Sequence, residues 1–372
     1  MAAATVVAAL RQFLPDFLRE APLLSAAQRR ALWAITHCRT PALGGRAFAC
    51  AECGQVHFAW HSCNHKACPQ CGRAATAQWV QRELAKLVEA PYFLVTFTLP
   101  AQLRDCFFGP LAKEAYDLFF TAVSRALSEK LATDKGLRAT INGFTAVLHT
   151  WNQRLEFHPH IHCVVPGTGL DERGRLMRVK KPEFLVYLPH LQSAFRHQLH
   201  QLFRLHGWQV DPEVWNKDWG VHIQPAGNGA AALKYLGAYV ARTAINDARL
   251  LKVTDRCVTF RWKNRDAHRS ETLTLDSVEF VRRYLRHVLP RGLCSIRYYG
   301  FCHPAAKANR LRVQLHSGRS VQLGAATVLG LTPAVTPLCP RCQRPMRLQA
   351  AFSYRQRGPP GLAPSALTSL SA

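Results

Sequence analysis

Two Cys-x-x-Cys units, Cys50-Ala-Glu-Cys53 and Cys68-Pro-Gln-Cys71, stand 14 residues apart in this chain, and no other feature limits its folding so tightly. A Cys-x-x-Cys turn aims two thiolates at one tetrahedral ion, and a second turn completes the set. The chain holds 13 cysteines, an odd number that a pure disulfide framework would not give. Met1–Leu10 is apolar but short, lacks a basic start and meets Arg11 and Asp16 at once. It reads as neither a secretory signal nor a membrane span, and no long apolar window follows. The expected setting is therefore the cytosol, where thiols stay reduced and open to metal. Cys50, Cys53, Cys68 and Cys71 are expected to hold one structural zinc, with no coordination position left for catalysis. Buried thiols without metal are the weaker alternative, since free cysteines have no reason to pair at this spacing. Cys38, His57, His61, Cys63 and His65 lie close by. A second zinc on Cys38, Cys63 and a histidine, or spare polar residues around one site, are both open. Cys339-Pro-Arg-Cys342 is a further turn whose partners are not obvious; Cys294, Cys302 and His303 are merely available.

Charge narrows the partner. The 372 residues carry 48 Lys and Arg against 23 Asp and Glu, a net charge of +25. From residue 280 onward there are 14 basic side chains and no acidic one. That distribution suits a polyanion, nucleic acid first. A membrane surface would want an amphipathic basic helix, which is not found.

The hydrophobic pattern divides the chain into three segments. Residues 1–90 read as helices over 5–35, broken at Pro15 and Pro22, then a Cys/His-dense loop region (37–72) and a helix from about Ala74 to Val88. Residues 91–290 alternate strands with helices. Tyr92–Leu99 is a β-branched and aromatic run between prolines, and 110–133 has helical periodicity. Gly143–Trp151 and His160–Val165 read as a hairpin. Helices follow at 190–206, 229–245 and 276–288, with strands at 219–224, 257–262 and 271–275. Residues 291–372 are basic, and Gly358–Ala372 is expected to be disordered. Interleaved strands and helices argue for an α+β middle domain.

Within that domain, His158-Pro-His160-Ile-His162 runs into a strand. Side chains alternate along a strand, so His160 and His162 share a face. His149, on the preceding strand, could reach the same face in a hairpin. Three neutral imidazoles with open positions suit a catalytic divalent ion. Tyr235 and Tyr239 lie four apart on a helical segment and share a face. Alone such a pair is more often core packing. Beside a metal site and a nucleic-acid charge pattern it suggests a nucleophile, because a cation that polarises a phosphate makes phenolate attack feasible.

These motifs carry a family resemblance. The paired Cys-x-x-Cys units, His160-Ile-His162 followed by Cys-Val-Val-Pro-Gly, Tyr235-xxx-Tyr239 and Phe280-Val-Arg-Arg-Tyr-Leu-Arg-His-Val-Leu-Pro-Arg-Gly occur in this order. Together they resemble the two-tyrosine rolling-circle transposases, the IS91 family of bacterial insertion sequences within the HUH endonucleases. The likeness spans roughly residues 30–305. It implies an HUH-type nuclease core, an antiparallel sheet flanked by helices, behind an N-terminal zinc-binding module. It also implies nicking of single-stranded DNA at transposon ends and targets through a 5′-phosphotyrosine that leaves a free 3′-OH. Tyr235 and Tyr239 would be the nucleophiles, and His160 and His162 would hold magnesium or manganese. His149 stands where related relaxases place a third ligand. The implied location is the bacterial cytoplasm, at the nucleoid. A plasmid relaxase or replication initiator would share this chemistry, and an inactive zinc-dependent DNA-binding remnant would share only the binding.

Basic grooves with aromatic platforms hold single strands. Arg282, Arg283, Tyr284, Arg286, Arg297, Tyr298 and Tyr299 supply that mix, and Arg242 sits just beyond the tyrosine pair. Without a carboxylate among them, phosphate contact is the expectation.

Overall fold

A computed structural model describes residues 5–353, apart from 21–22, 218, 241–243, 265–266 and 319–335. The N-terminal helices are set by side-chain caps. Thr5 accepts from the Ala8 amide at the start of α1 (Val6–Arg19), and Ser25 with Gln28 forms a capping box on α2 (Ala26–Thr36). Helix α1 runs through Pro15 without breaking. The proline removes one amide donor, at a cost of about 3 kcal/mol. Val6, Leu10, Phe13 and Phe17 bury one face of the helix and outweigh it. Pro22 lies outside the described residues.

Strands β1 (Gly44–Ala49) and β2 (Val56–Trp60) form a hairpin within the Cys/His-dense region, where the sequence suggested only loops. Helix α3 (Gly72–Leu84) leads to β3 (Tyr92–Thr98), then α4 (Ala112–Thr133), β4 (Gly143–Trp151) and β5 (Phe157–Pro166). A small hairpin, β6 (Thr168–Leu170) and β7 (Leu176–Arg178), precedes α5 (Leu188–Leu205), β8 (Val221–Pro225) and α6 (Ala230–Val240). The strands β9 (Leu250–Val253), β10 (Cys257–Asn264) and β11 (Arg269–Asp276) make a second sheet ahead of α7 (Ser277–Arg286). The chain continues through β12 (Ile296–Gly300), α8 (Lys307–His316) and β13 (Arg347–Ser353).

The central sheet has five strands in the order β12-β4-β5-β3-β8, all antiparallel. Helices cover both faces, which is why every residue of β4 before Trp151 is buried. Phe93, Val95, Phe97, Ala146, Leu148, Ile161 and Cys163 face α4 and α5 in the largest hydrophobic core. The alternate residues Tyr92, Val147 and Val164 face the other way, into a core with Trp79 of α3 and Leu233 and Leu236 of α6. A third core joins α1 and α2 to α7 and the β9–β11 sheet. Mixed helices and antiparallel strands make this the α+β fold expected. Its hydrophobic cores do not follow the sequence divisions at 90 and 290, since the N-terminal helices pack on α7 and β12 belongs to the central sheet. Among the described residues no helix is long and apolar enough to cross a membrane.

Candidate active site and metal centres

The second face of the central sheet collects the imidazoles. His149 of β4 lies directly opposite His160 of β5, and Val147 opposite His162. Period-two alternation therefore places His149, His160 and His162 together, with Ile161 turned into the opposite core. Their ring centroids stand 5.2 Å (His149–His160), 4.6 Å (His149–His162) and 4.8 Å (His160–His162) apart. One ring nitrogen from each falls within 4.8 Å of the others. His149 and His162 are buried and His160 half-buried. Burial first, then the neighbouring His162 and His160, pushes the pKa of His149 well below the ordinary imidazole range. It is therefore held neutral, the form that can ligate a metal.

The outer contacts fix which nitrogen is presented. Nδ1 of His160 lies 2.7 Å from the His158 carbonyl, to which it donates. Nδ1 of His162 lies 2.8 Å from Thr96 Oγ1 on the neighbouring strand. A carbonyl can only accept, so His160 donates Nδ1–H and keeps its lone pair on Nε2, while Thr96 holds the His162 ring through Nδ1. The His158 ring is itself held by Arg104, whose guanidinium donates to its Nδ1 at 2.9 Å.

Helix α6 crosses the same face. The half-buried ring of Tyr235 has its centroid 6.1 Å from that of His162, nearly perpendicular at 83°. Gly237 explains the approach of α6 to α3: a Cβ there would lie 2.0 Å from Val80 Cγ2. Tyr239 is in the same helix, but its side chain lies outside the described residues, as does Arg242.

The thiols form two separate groups. Cys68 and Cys71 meet Cys38 and Cys63, with Sγ–Sγ distances of 3.5 Å (Cys38–Cys71) and 3.6 Å (Cys63–Cys71). Four sulfurs at about 2.3 Å from a tetrahedral ion would stand roughly 3.8 Å apart, so the group fits zinc. Contact with Cys68, opposed by burial and aided by the His65 amide and Cys71, lowers the Cys63 thiol to about 5. Cys50 and Cys53 instead face Cys339 and Cys342. This corrects the expected Cys50–Cys53–Cys68–Cys71 set. The first turn caps one end of the β1–β2 hairpin, and five residues of β2 carry the chain some distance, roughly 17 Å, to the other end before Cys63.

Comparison with known proteins agrees with this geometry. A family model described as "Putative transposase" matches residues 143–310, the segment holding all three histidines and both tyrosines. A "Transposase zinc-binding domain" matches residues 9–99. A "Putative transposase y4qJ" from Sinorhizobium fredii is 39% identical, covering 78% of this chain and 77% of its own length. The "Transposase for insertion sequence element IS801" from Pseudomonas savastanoi pv. phaseolicola is 29% identical, covering 71% of this chain and 67% of its own. No solved structure matches. The chain belongs to the IS91-family transposases. It is a zinc-binding, DNA-processing protein of an insertion sequence.

In this transposase most of the expected phosphate-binding arginines have internal partners. Arg282 pairs with Glu279 at 2.6 Å and Glu20 at 2.7 Å, and Arg283 pairs with Glu279 at 2.7 Å. Arg297 pairs with Asp117 and lies 4.1 Å from the centre of the Phe120 ring. The local absence of carboxylates was misleading, because acids distant in sequence or just upstream supply them. Arg286 is exposed, its guanidinium 5.8 Å from the centre of the Phe108 ring. The aromatic platforms are also engaged. Tyr284 donates to the Ala67 carbonyl at 2.5 Å, and Tyr299 stacks on Phe144. The Tyr298 hydroxyl accepts from Trp79 at 2.9 Å and donates to Glu83 at 3.0 Å. Thr96 and Arg104 escaped the sequence reading. Thr96 left one signal, the alternation Thr96-Phe-Thr98 that puts its hydroxyl on the histidine face.

Proposed function

We propose that the transposase cuts and rejoins single-stranded DNA, with Tyr235 attacking a phosphodiester held at the His149–His160–His162 cluster. The reading is supported above all by one observation: the Tyr235 ring on α6 stands beside His162, one of three convergent imidazoles. The three imidazoles would hold a magnesium or manganese ion. When bound, that ion would polarise the scissile phosphate and lower the cost of charge on the oxygens. The donor set is nitrogen only, which favours manganese over the harder magnesium. The chain's own contribution is positional. Thr96 and the His158 carbonyl orient two rings, burial keeps His149 neutral, and the Gly237 contact holds α6 against α3. In the step itself the Tyr235 oxygen forms a bond to phosphorus as its proton passes to solvent water. The bond to the 3′ oxygen breaks, and that oxygen departs to take up a proton. The products are a 5′-phosphotyrosine and a free 3′-OH, and the reverse attack rejoins the strand. Tyr239, one turn later, would serve a second transfer.

Denaturing gels of the purified protein with manganese and labelled single-stranded DNA from the element's end test this. A slow-migrating covalent species is expected. It should vanish in Tyr235→Phe and fall at least about a hundredfold in His160→Ala/His162→Ala. Unchanged adduct in the histidine variant would remove the metal role.

A further inference from the structure

We propose that Cys50, Cys53, Cys339 and Cys342 bind a second structural zinc ion, in a ribbon assembled from the two ends of the chain. Two of these ligands lie far beyond residues 9–99, the segment matched by the zinc-binding domain.

The two turns share one backbone design. Cys50 N–H donates to the Gln55 carbonyl at 2.9 Å and Gly54 N–H to the Cys50 carbonyl at 3.0 Å. Cys339 N–H donates to the Arg344 carbonyl at 2.8 Å and Gln343 N–H to the Cys339 carbonyl at 2.8 Å. In both, the residue after the second cysteine is left-handed, Gly54 with φ 70° and Gln343 with φ 58°. Each turn tips a hairpin: β1–β2 carries the first, and the Leu338–Pro345 bridge closes the second. Strand β13 then pairs antiparallel with β1, from Gly44 opposite Ser353 to Ala49 opposite Arg347. That pairing brings the turns face to face.

The sulfurs meet with the spacing of a tetrahedral site. Sγ–Sγ distances are 3.5 Å for Cys50–Cys342, 3.6 Å for Cys53–Cys339 and 3.8 Å for Cys53–Cys342. All four are free thiols, with no oxygen or nitrogen donor in the group. A set of soft thiolates selects zinc over harder divalent ions.

Packing alone leaves the ribbon short of a core. Among the described residues, the cluster around the two turns buries Cys50, Cys339 and Met346, with Phe48 and Cys53 partly packed against them, and Ala47 and Phe352 add two further buried side chains along the strands. Units below about 40 residues usually need a metal or a disulfide to hold. In the cluster at the turns, two of the three buried side chains are themselves candidate ligands. The zinc would fasten the C-terminal strand to the N-terminal hairpin and fix exposed Arg341, Arg344 and Arg347 in the same sheet unit as exposed Arg46.

Elemental analysis of the full-length protein tests the proposal. About two zinc ions per chain are expected, falling to about one in Cys339→Ser/Cys342→Ser. One zinc in the native protein, unchanged in that variant, would overturn it. Native alkylation needs no variant. Cys342 is exposed, so slow labelling of Cys339 and Cys342 that becomes fast after chelation is expected. Immediate labelling of both, while Cys38, Cys63, Cys68 and Cys71 stay protected, would equally overturn it.

Discussion

At the residue scale the chemistry depends on which nitrogen each imidazole has committed. His162 Nδ1 lies 2.8 Å from Thr96 Oγ1, and a ring engaged at Nδ1 turns its Nε2 edge toward the cluster without searching. Thr96→Val keeps the shape and removes the hydroxyl that holds the ring. The manganese concentration needed for half-maximal adduct should rise by about tenfold or more; an unchanged requirement would deny Thr96 this role. A second buried histidine reports on stability. His287 accepts from Thr150 Oγ1 and donates to the Leu155 carbonyl, each at 3.2 Å, and burial lowers its pKa to about 4. In the unfolded chain the ring would titrate near 6.5. The unfolded state therefore binds more protons between these values, and the stabilisation, full above pH 6.5, is lost as pH falls toward 4. Urea unfolding at pH 7 and pH 5 should show the native protein losing about 2 kcal/mol more than His287→Gln. Equal losses would contradict the assignment.

At the scale of elements, the candidate site depends on the β4–β5 hairpin and on α6, whose seating on α3 turns on one small residue. Gly237 is the point where α6 meets α3, and the stiff Val80 cannot give way to a Cβ at 2.0 Å. Gly237→Ala should cost about 1–3 kcal/mol and displace Tyr235, lowering adduct formation. Val80→Ala in the same chain should restore both, and failure of that rescue would sink the packing explanation. The elements legible in the sequence were those with clean local periodicity: β3, β4, β5, α4 and α5, together with the alternation that set His160 and His162 on one face. The hairpin β1–β2 was not legible, because its strands are short and built around a metal turn. Strand β13 pairs with β1, and nothing local in 347–353 announces a partner some 300 residues away.

At the scale of the whole molecule, the basic last quarter of the chain divides its charge between structure and surface. Arg297 is consumed by Asp117, and β12 fills one edge of the central sheet. Removing everything beyond residue 290 would therefore strip an edge strand from the central sheet. A cut after Gly318 spares it while removing Arg341, Arg344 and Arg347. If those side chains touch phosphate, the truncated protein should bind single-stranded DNA more weakly, with a shallower dependence of log affinity on log salt. The change should be about 0.7 per lost contact. An identical slope would place the grip elsewhere. The pairing of cysteines also belongs to this scale. Spacing leads to the expectation that the two adjacent turns share one zinc, whereas in the folded chain each turn meets a different pair of cysteines.

Mapping the covalent product tests the central claim most directly. The transposase is reacted with manganese and single-stranded DNA from its element's end, digested, and the nucleotide-bearing peptide sequenced by mass spectrometry. Phosphotyrosine at Tyr235, dependent on the metal and absent from Tyr235→Phe, is the result predicted. Cleavage that leaves no protein–DNA bond, or a bond on a residue outside α6, would contradict it.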